Sequence, residues 1–568
     1  MDLTRVMIVS TERAACGPRA LCNAEVMSDL HLVPVPARVE VREGVFPLAG
    51  AEVEGLLAEL LASELAAVIG SLVSTRRFAG AHAAAQPADD LGSAQPADDL
   101  GSAQPADDLG SAQPADDLGS ARPAIVLGID GEGAPESYRL EVAPSGVRLV
   151  GADRAGLRYG IFTLVQLARR AGDSWELPAV VIEDAPRFRY RGLMLDVARH
   201  FFDVATVKKV IDRAARLKLN ALHLHLSDDQ GWRFEVTSRP ELAERASTGA
   251  AFGAPGGFYS KADYADIVAH AADNDMVVVP EIDLPGHTHA VGLAYPDLVE
   301  EPVLLDSVRA VAEQFGGGLP VKGEQYHGVA VGHSSVRIRH EPTYEFLADV
   351  LTEVAAATPG PWLHVGGDEC HATSKEDFAA FVSRVTAMVA DLGKTPVVWH
   401  EAGAAAGMAA GTVGQFWGLR SHDADVAEKS RAFPAGGGAL ILSPADAIYL
   451  DMKYDADTRL GLTWADGPTS VERSYDWEPA ELIDGVSEPD ILGVEAPLWT
   501  ETVVTLADLD HLVFPRVASA AEIAWSPARG TASTRTWESF AARLGGLAPL
   551  WEAQGVDFHR SPEIPWVS

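Results

Sequence analysis

The most reactive feature of the sequence is the adjacent acidic pair Asp368 and Glu369. The pair follows WLHVGG, an apolar run ending in two glycines, and glycine lets a backbone turn sharply beside a ligand. Hydrolysis of a glycosidic bond needs a carboxylic acid that stays protonated near neutral pH and protonates the leaving oxygen. Burial and a neighbouring anion both raise a carboxyl pKa, so we assign Glu369 as this acid and expect Asp368 to be ionised. Taken alone, the pair is equally consistent with an acidic cap of the next helix.

Tryptophans favour the first interpretation. The chain has 12 of them, and several lie at or near the ends of later apolar runs. Indole faces pack against the C–H faces of sugars, and a pocket of tryptophans and carboxylates suits a neutral, hydroxyl-rich ligand. Arg199, Asp451 and Glu501 come from three different runs and could bond to the hydroxyls. Core packing explains any one tryptophan, whereas the joint pattern predicts a sugar site; its tryptophans are Trp399, Trp417, Trp464 and Trp499.

The acid pair is poorly arranged for the ordinary retaining mechanism, in which a second carboxylate attacks the sugar. Adjacent side chains on a strand point to opposite faces. We therefore expect a different group to attack the anomeric carbon.

Eight short apolar runs position these side chains. They alternate with helical stretches from Arg187 onward, which is typical of parallel strands joined by crossover helices. Eight such units predict a (β/α)8 TIM barrel over residues 186–568, in which the active site is built where the strands end. Residues 28–185 predict a small α+β accessory domain. The runs are GLMLDVAR, ALHLHLSD, VVVPEID, WLHVGGDE, PVVWHEA, VGQFWG, ALILSP continuing to IYLD, and GVEAPLWTE.

Two segments lie outside this pattern. AQPADDLGS occurs four times in tandem over residues 85–120, and its single Leu per unit cannot build a core. We expect a flexible acidic insertion there, within the accessory domain. Residues 1–27 are predicted to be a disordered leader.

Composition excludes several functions. Asp and Glu number 81 against 45 Lys and Arg, and the net charge of −36 argues against nucleic acid or an anionic membrane as a partner. Three cysteines form neither a disulfide framework nor a zinc motif. With no transmembrane run or signal peptide, we expect a cytoplasmic protein. The expected partner is a small oligosaccharide or glycoconjugate, without a cofactor; the oligomeric state is left open.

The chain from about Leu30 to Trp566 resembles the glycoside hydrolase family 20 β-N-acetylhexosaminidases, and bacterial members in particular. The resemblance implies exo-acting, retaining hydrolysis of terminal β-linked N-acetylglucosamine and N-acetylgalactosamine, without ranking the two. It also implies that the sugar's own acetamido oxygen attacks the anomeric carbon and gives an oxazolinium intermediate. The blocks that carry the resemblance are RGLMLDVARHFF, NALHLHLSDDQGWR, VVPEIDLPGHTHA, HVGGDE, SPADAIYLDMKY and EAPLWTET, in the family's order.

The resemblance also implies residue roles. Glu369 matches the general acid/base, Asp368 the carboxylate that orients the acetamido nitrogen, and Tyr449 the hydroxyl that holds the acetamido oxygen. Asp228 and His287 match a supporting pair behind the acid, with Asp283 a weaker candidate for the same role. The remaining matches are Trp399, Trp417 and Trp499 around the acetamido group, Arg199, Asp451 and Glu501 at the sugar hydroxyls, and Trp464 near the leaving group. Between residues 295 and 340 the match is looser, which leaves open what binds beyond the terminal sugar.

Two other functions remain open at this stage. His223 and His225 lie two apart on one strand face and, with His287 and His364, could ligate a divalent metal in a hydrolase on the same barrel. Both precede Asp228, so buried, hydrogen-bonded histidines are the alternative explanation. A non-catalytic carbohydrate-binding barrel is the second possibility, and it would not need a buried acid.

Overall fold

The accessory domain is built on one mixed sheet. The computed structural model describes residues 29–69, 74–76, 124–371 and 373–567, so the predicted leader and repeat lie outside the described residues. The elements of this domain are β1 (Arg38–Pro47), β2 (Glu52–Gly55), α1 (Ala58–Ile69), β3 (Ser74–Arg76), β4 (Ala124–Ile129), β5 (Tyr138–Ala143), β6 (Gly146–Gly151), α2 (Arg154–Gln166), β7 (Arg169–Ala171) and β8 (Ser174–Asp184). The strand order in the sheet is β1-β8-β5-β6-β4-β2-β3, with β7 paired to β8, and the two helices accompany it.

Eight parallel strands then close into a barrel, and each overlaps one of the eight predicted runs; three of the strands begin one or two residues before their runs. The predicted fold class is confirmed. A small hairpin of β11 (Ser227–Asp228) and β12 (Gly231–Trp232) follows the second barrel strand. The barrel strands are β9 (Tyr190–Asp196), β10 (Ala221–His225), β13 (Val277–Glu281), β14 (Trp362–His364), β15 (Thr395–Trp399), β16 (Val413–Phe416), β17 (Leu440–Leu442) and β18 (Ile491–Leu498).

Helices connect the strands. They are α3 (Val204–Arg216), α4 (Glu241–Arg245), α5 (Lys261–Asp273), α6 (Val291–Ala294), α7 (Asp306–Phe315), α8 (Glu341–Ala357), α9 (Lys375–Asp391), α10 (Ala424–Ala435), α11 (Ala445–Ile448), α12 (Val471–Tyr475), α13 (Leu506–Val513), α14 (Arg516–Trp525), α15 (Trp537–Gly545) and α16 (Ala548–Ala553). None of the described helices is long and apolar enough to cross a bilayer.

The sequence accounts for this alternation. Every residue of β9 and β18 is buried, as expected for strands covered on both faces, and such strands read as continuous apolar runs. The first crossover helix, α3, begins after Asp203, whose side chain accepts a hydrogen bond from the Thr206 backbone N–H at 2.8 Å. Its buried residues Val207, Val210 and Ile211 recur at helical spacing and face the strands.

Two ion pairs, one buried and one partly exposed at Glu136, join the accessory domain to the barrel. The Arg191 guanidinium lies 2.9 Å from the carboxylate of Glu136, and the Lys218 ammonium lies 3.0 Å from that of Asp184. Lys218 also donates to the Tyr138 hydroxyl at 2.9 Å. These contacts lie at the start of the barrel, away from the strand ends that carry the acid pair.

Candidate active site

A cavity of about 450 Å³ opens at the carboxyl ends of the barrel strands. Such a volume is in the range of small-ligand pockets. Eight of the predicted site residues line it: Arg199, Asp368, Glu369, Trp417, Tyr449, Trp464, Trp499 and Glu501. The other four, Asp228, His287, Trp399 and Asp451, are buried behind this lining.

The cavity has two parts that differ in exposure. We call Asp368, Tyr449 and Trp499, together with Asp451 behind them, the inner chamber; all four are at most 9% exposed. The outer mouth consists of Glu369, Trp464 and the cavity-facing side chains of two segments, 311–315 and 329–331, in the long connection between β13 and α8. Trp464 is 49% exposed.

The backbone before the acid pair explains the two glycines of HVGGDE. Gly366 and Gly367 have φ values of +68° and +105°, in the region that favours glycine. A Cβ at Gly366 would lie 1.7 Å from Oδ1 of Asp283, so no side chain fits there. Glu369 itself has a φ of +48°, unusual for a residue with a side chain. This turn follows the fourth barrel strand and brings an oxygen of each acidic side chain within 4.8 Å of the other.

His287 links the acid pair to the barrel interior. Its Nε2 lies 3.6 Å from Asp368 and 3.5 Å from Glu369, and its Nδ1 lies 3.2 Å from Asp228. Asp228 in turn lies 2.7 Å from the Arg199 guanidinium and 2.8 Å from Nε2 of His225. Of the predicted supporting pair, His287 thus lies within 3.6 Å of both acids and Asp228 lies behind His287.

Neighbouring charges shift the pKa values of Asp228, His287 and Asp368. Burial would raise the pKa of Asp228, but Arg199 and His287 lower it well below its usual range. Burial would lower the pKa of His287, but the surrounding carboxylates raise it well above its usual value. Burial raises the pKa of Asp368 to about 6 against the lowering effect of His287, so Asp368 is largely ionised at neutral pH. An ionised carboxylate beside a protonated imidazole is suited to accepting an N–H.

Aromatic rings enclose the inner chamber. The Tyr449 ring centroid lies 6.4 Å from that of Trp499 and 5.6 Å from that of Trp464, and the Trp399 ring lies 6.1 Å from Trp499. The Arg199 guanidinium lies over the Trp499 ring at 4.7 Å. Burial and nearby carboxylates raise the pKa of Tyr449 well above its usual value, so its hydroxyl remains a hydrogen-bond donor.

Two carboxyl groups keep free hydrogen-bonding capacity. Trp464 Nε1 donates to Asp451 Oδ2 at 3.3 Å, whereas buried Asp451 Oδ1 and Glu501 Oε2 have no partner among the described residues. Burial raises the pKa of Asp451 to about 8 and that of Glu501 to about 7. Buried polar atoms are normally paired, so these oxygens are placed to bond a polar ligand.

The histidines of the metal hypothesis lie inside the barrel. Glu281 accepts Trp399 Nε1 at 2.9 Å, lies 2.9 Å from Nδ1 of His364, and also contacts His225 and His223. All four partners are fully buried. The spacing of His223, Glu281 and His364 would admit a metal ion, and so would three overlapping groups that extend to Glu369. In this structure, the network of histidines around Glu281 holds the Trp399 indole in place.

Sequence reasoning missed part of the site. Glu401 is hydrogen-bonded by Trp417 Nε1 at 2.9 Å, and burial raises the pKa of Glu401 to about 8. It lies within the run PVVWHEA, where alternation alone does not say which side chains reach the site. The mouth residues Val311, Gln314 and Phe315 lie in α7, within the segment of looser resemblance, and their helical spacing was the only available signal. Tyr449 and Asp451, expected at a strand end, instead follow the one-turn helix α11.

Comparison with known proteins agrees with this architecture. The model of Glycosyl hydrolase family 20, catalytic domain, matches residues 188–528, and that of Glycosyl hydrolase family 20, domain 2, matches residues 29–185. A β-N-acetylhexosaminidase from Cellulomonas fimi is 41% identical over 433 residues, covering 76% of this chain and 82% of that protein.

Solved structures are similar over nearly the whole length. A glycoside hydrolase family 20 β-N-acetylglucosaminidase has a TM-score of 0.81 and 50% identity, covering 94% of this chain and 99% of that one. A mutant Streptomyces plicatus β-hexosaminidase in complex with its product GlcNAc has a TM-score of 0.77 and 39% identity, covering 95% and 98%.

A TIM barrel with an acid pair at the end of its fourth strand and an aromatic chamber beside it defines a glycoside hydrolase. The chain belongs to glycosyl hydrolase family 20, in the β-N-acetylhexosaminidase class.

Proposed function

We propose that this enzyme removes terminal β-linked N-acetylglucosamine and N-acetylgalactosamine with retention of configuration, through an oxazolinium intermediate. The supporting observation is that a single cavity contains the acid pair, Tyr449 and three indoles, with Asp368 in the inner chamber and Glu369 at the outer mouth. Both carboxyl groups lie within 3.6 Å of one His287 nitrogen, which suits two jobs at adjacent carbons of one sugar: holding its acetamido group and protonating its leaving oxygen.

In the first step, Glu369 gives its proton to the glycosidic oxygen while the acetamido oxygen attacks the anomeric carbon. Ionised Asp368 accepts the acetamido N–H and offsets the positive charge that develops on nitrogen. The Tyr449 hydroxyl donates to the acetamido oxygen and orients it for attack. In the second step the Glu369 carboxylate removes a proton from water, and this water attacks the anomeric carbon. The attack opens the oxazolinium ring, restores the acetamido group and gives net retention of configuration.

Release of nitrophenol tests this proposal. We would compare 4-nitrophenyl β-N-acetylglucosaminide and 4-nitrophenyl β-glucoside, each with and without EDTA. Cleavage of the first only, unaffected by EDTA, is expected. Equal cleavage of both would mean that a protein carboxylate is the nucleophile and would overturn the role of Asp368. Loss of activity with EDTA would favour the metal hydrolase, and no cleavage of either would favour a binding protein. The matching 4-nitrophenyl β-N-acetylgalactosaminide tests the second sugar.

A further inference from the structure

The outer mouth has a second wall that the barrel strands do not provide. Val311, Gln314 and Phe315 of α7 all line the cavity, and their spacing of three and four residues places them on one helix face. Val329 and Val331, from the loop that follows, line it beside them. Phe315 is 41% exposed in the empty cavity.

Position along the cavity identifies what meets this wall. Under the proposed function the glycosidic oxygen lies at Glu369, whose side chain is 26% exposed, and the terminal sugar occupies the inner chamber. The leaving group must then extend outward, past the exposed rings of Trp464 and Phe315. Partly exposed aromatic side chains at this point are available for stacking with a ligand.

The wall is held in place before any ligand arrives. Ser334 Oγ donates to Asp229 at 2.5 Å, and the Val303 backbone N–H donates to the His333 carbonyl at 2.8 Å. Buried Gly332 lies so close to the acid that an added Cβ would be 3.1 Å from the Glu369 carbonyl oxygen. Because the segment is fixed on both sides of α7, ligand binding need not order it.

The charge at the mouth favours one class of leaving group. The wall offers four apolar side chains and one amide beside the acidic Glu369. Among the described residues that line the cavity, Arg199 is the only cation, and Asp228 already pairs with it at 2.7 Å. A carboxylate on the leaving group would therefore find no free cation to pair with at this wall.

From this wall we infer that the enzyme selects neutral leaving groups with flat apolar faces, aryl groups or one neutral β-linked pyranose, and discriminates against uronic acids. The inference rests on the proposed function and specifies its substrate class. Phe315 and Gln314 determine this specificity, and neither takes part in the bond-breaking step.

Three substrates with the same terminal sugar test it: di-N-acetylchitobiose, methyl β-N-acetylglucosaminide, and N-acetylglucosamine β-linked to glucuronic acid. Wild-type kcat/KM should be at least about tenfold higher on chitobiose than on the uronate disaccharide. Phe315→Ala should lower kcat/KM on chitobiose about three- to tenfold, with a smaller loss on the methyl glycoside. Gln314→Lys should raise kcat/KM on the uronate disaccharide about fivefold and leave chitobiose no better.

Matched controls separate the wall from general effects. Leu319→Ala removes an apolar side chain of similar exposure, 40%, that does not line the cavity. Glu313→Gln makes the same unit change in charge as Gln314→Lys, but at the preceding residue, Glu313, which does not line the cavity. Neither control should change substrate preference. Equal losses on chitobiose and methyl glycoside in Phe315→Ala, or equal wild-type rates on neutral and uronate disaccharides, would overturn the inference. If wild type cleaves no N-acetylglucosaminide at all, the proposed function itself fails.

Discussion

The inner chamber and the outer mouth belong to one cavity but are constructed differently. In the inner chamber, Trp499 directly follows β18 and Asp368 lies four residues beyond β14, and buried hydrogen bonds or ion pairs fix their surroundings. The mouth also uses α7 and the loop at 329–331, which belong to the long connection between β13 and α8 and are held to the barrel through the Ser334–Asp229 hydrogen bond. The difference separates two tasks: the segments that follow the strands set the geometry of the reaction, while this connection sets which leaving group fits.

The comparison predicts that the largest effect common to all leaving groups arises in the inner chamber. Asp368→Asn should lower kcat by at least about 10²-fold on both aryl and sugar leaving groups, because the acetamido attack is needed whatever leaves. Steady-state kinetics on 4-nitrophenyl β-N-acetylglucosaminide and chitobiose would measure this. Retained binding of N-acetylglucosamine, followed by tryptophan fluorescence, controls for misfolding. A near-neutral Asp368→Asn would disprove substrate assistance.

Glu369, at the boundary with the mouth, should discriminate between leaving groups. Glu369→Gln should lower kcat on chitobiose about 10²- to 10⁴-fold, because the sugar alkoxide cannot leave without a proton. On 2,4-dinitrophenyl β-N-acetylglucosaminide, whose phenolate leaves unaided, the loss in the first step should be far smaller, visible as a burst of phenolate. Equal first-step losses on both substrates would assign Glu369 a role other than proton donor.

These two parts of the cavity were not equally predictable. The eight strand ends could be read from sequence because a buried parallel strand leaves a continuous apolar run, and a side chain just beyond it can only face the barrel mouth. Glu401 was missed because it lies two residues past the end of β15, in the turn that follows Trp399. The α7 wall was missed because its spacing is that of any amphipathic helix, and only the fold shows that this face meets a cavity rather than the core.

The supporting histidine predicts a change in pH dependence. Protonated Asp368 cannot accept the acetamido N–H, so kcat/KM should fall as the pH drops below about 6, the pKa of Asp368. His287 lowers that pKa, so His287→Gln should raise it and move the acid limb roughly one pH unit upward. A pH profile of kcat/KM measures the limb. As a control, His270→Gln removes a histidine of outer helix α5 that pairs with Asp212, and it should leave the acid limb in place. An unmoved limb in His287→Gln would contradict the assignment.

Glu401 predicts a small effect despite its burial. Its pKa of about 8 makes it neutral at pH 6 to 7, and glutamine can still accept the hydrogen bond from Trp417 Nε1. Glu401→Gln should therefore change kcat/KM less than about threefold at pH 6, and the two pH profiles should separate only near pH 8. A large loss at pH 6 would mean that Glu401 acts as an anion.

The smallest effect is expected farthest from both parts of the cavity. Deleting residues 85–120 would leave residues 77–84 and 121–123 to connect β3 with β4. These strands flank β2, with Arg76 level with Glu54 and Ala124 level with Glu52, so the ends lie roughly 12 Å apart at ordinary strand spacing. Eleven extended residues reach roughly 36 Å, ample to cross the neighbouring strand. Because β3 and β4 belong to the accessory sheet and not to the cavity lining, kcat/KM should stay within about twofold of wild type and the melting temperature should be nearly unchanged. A tenfold loss of kcat/KM in a protein that still melts cooperatively would show that the repeat takes part in handling the substrate.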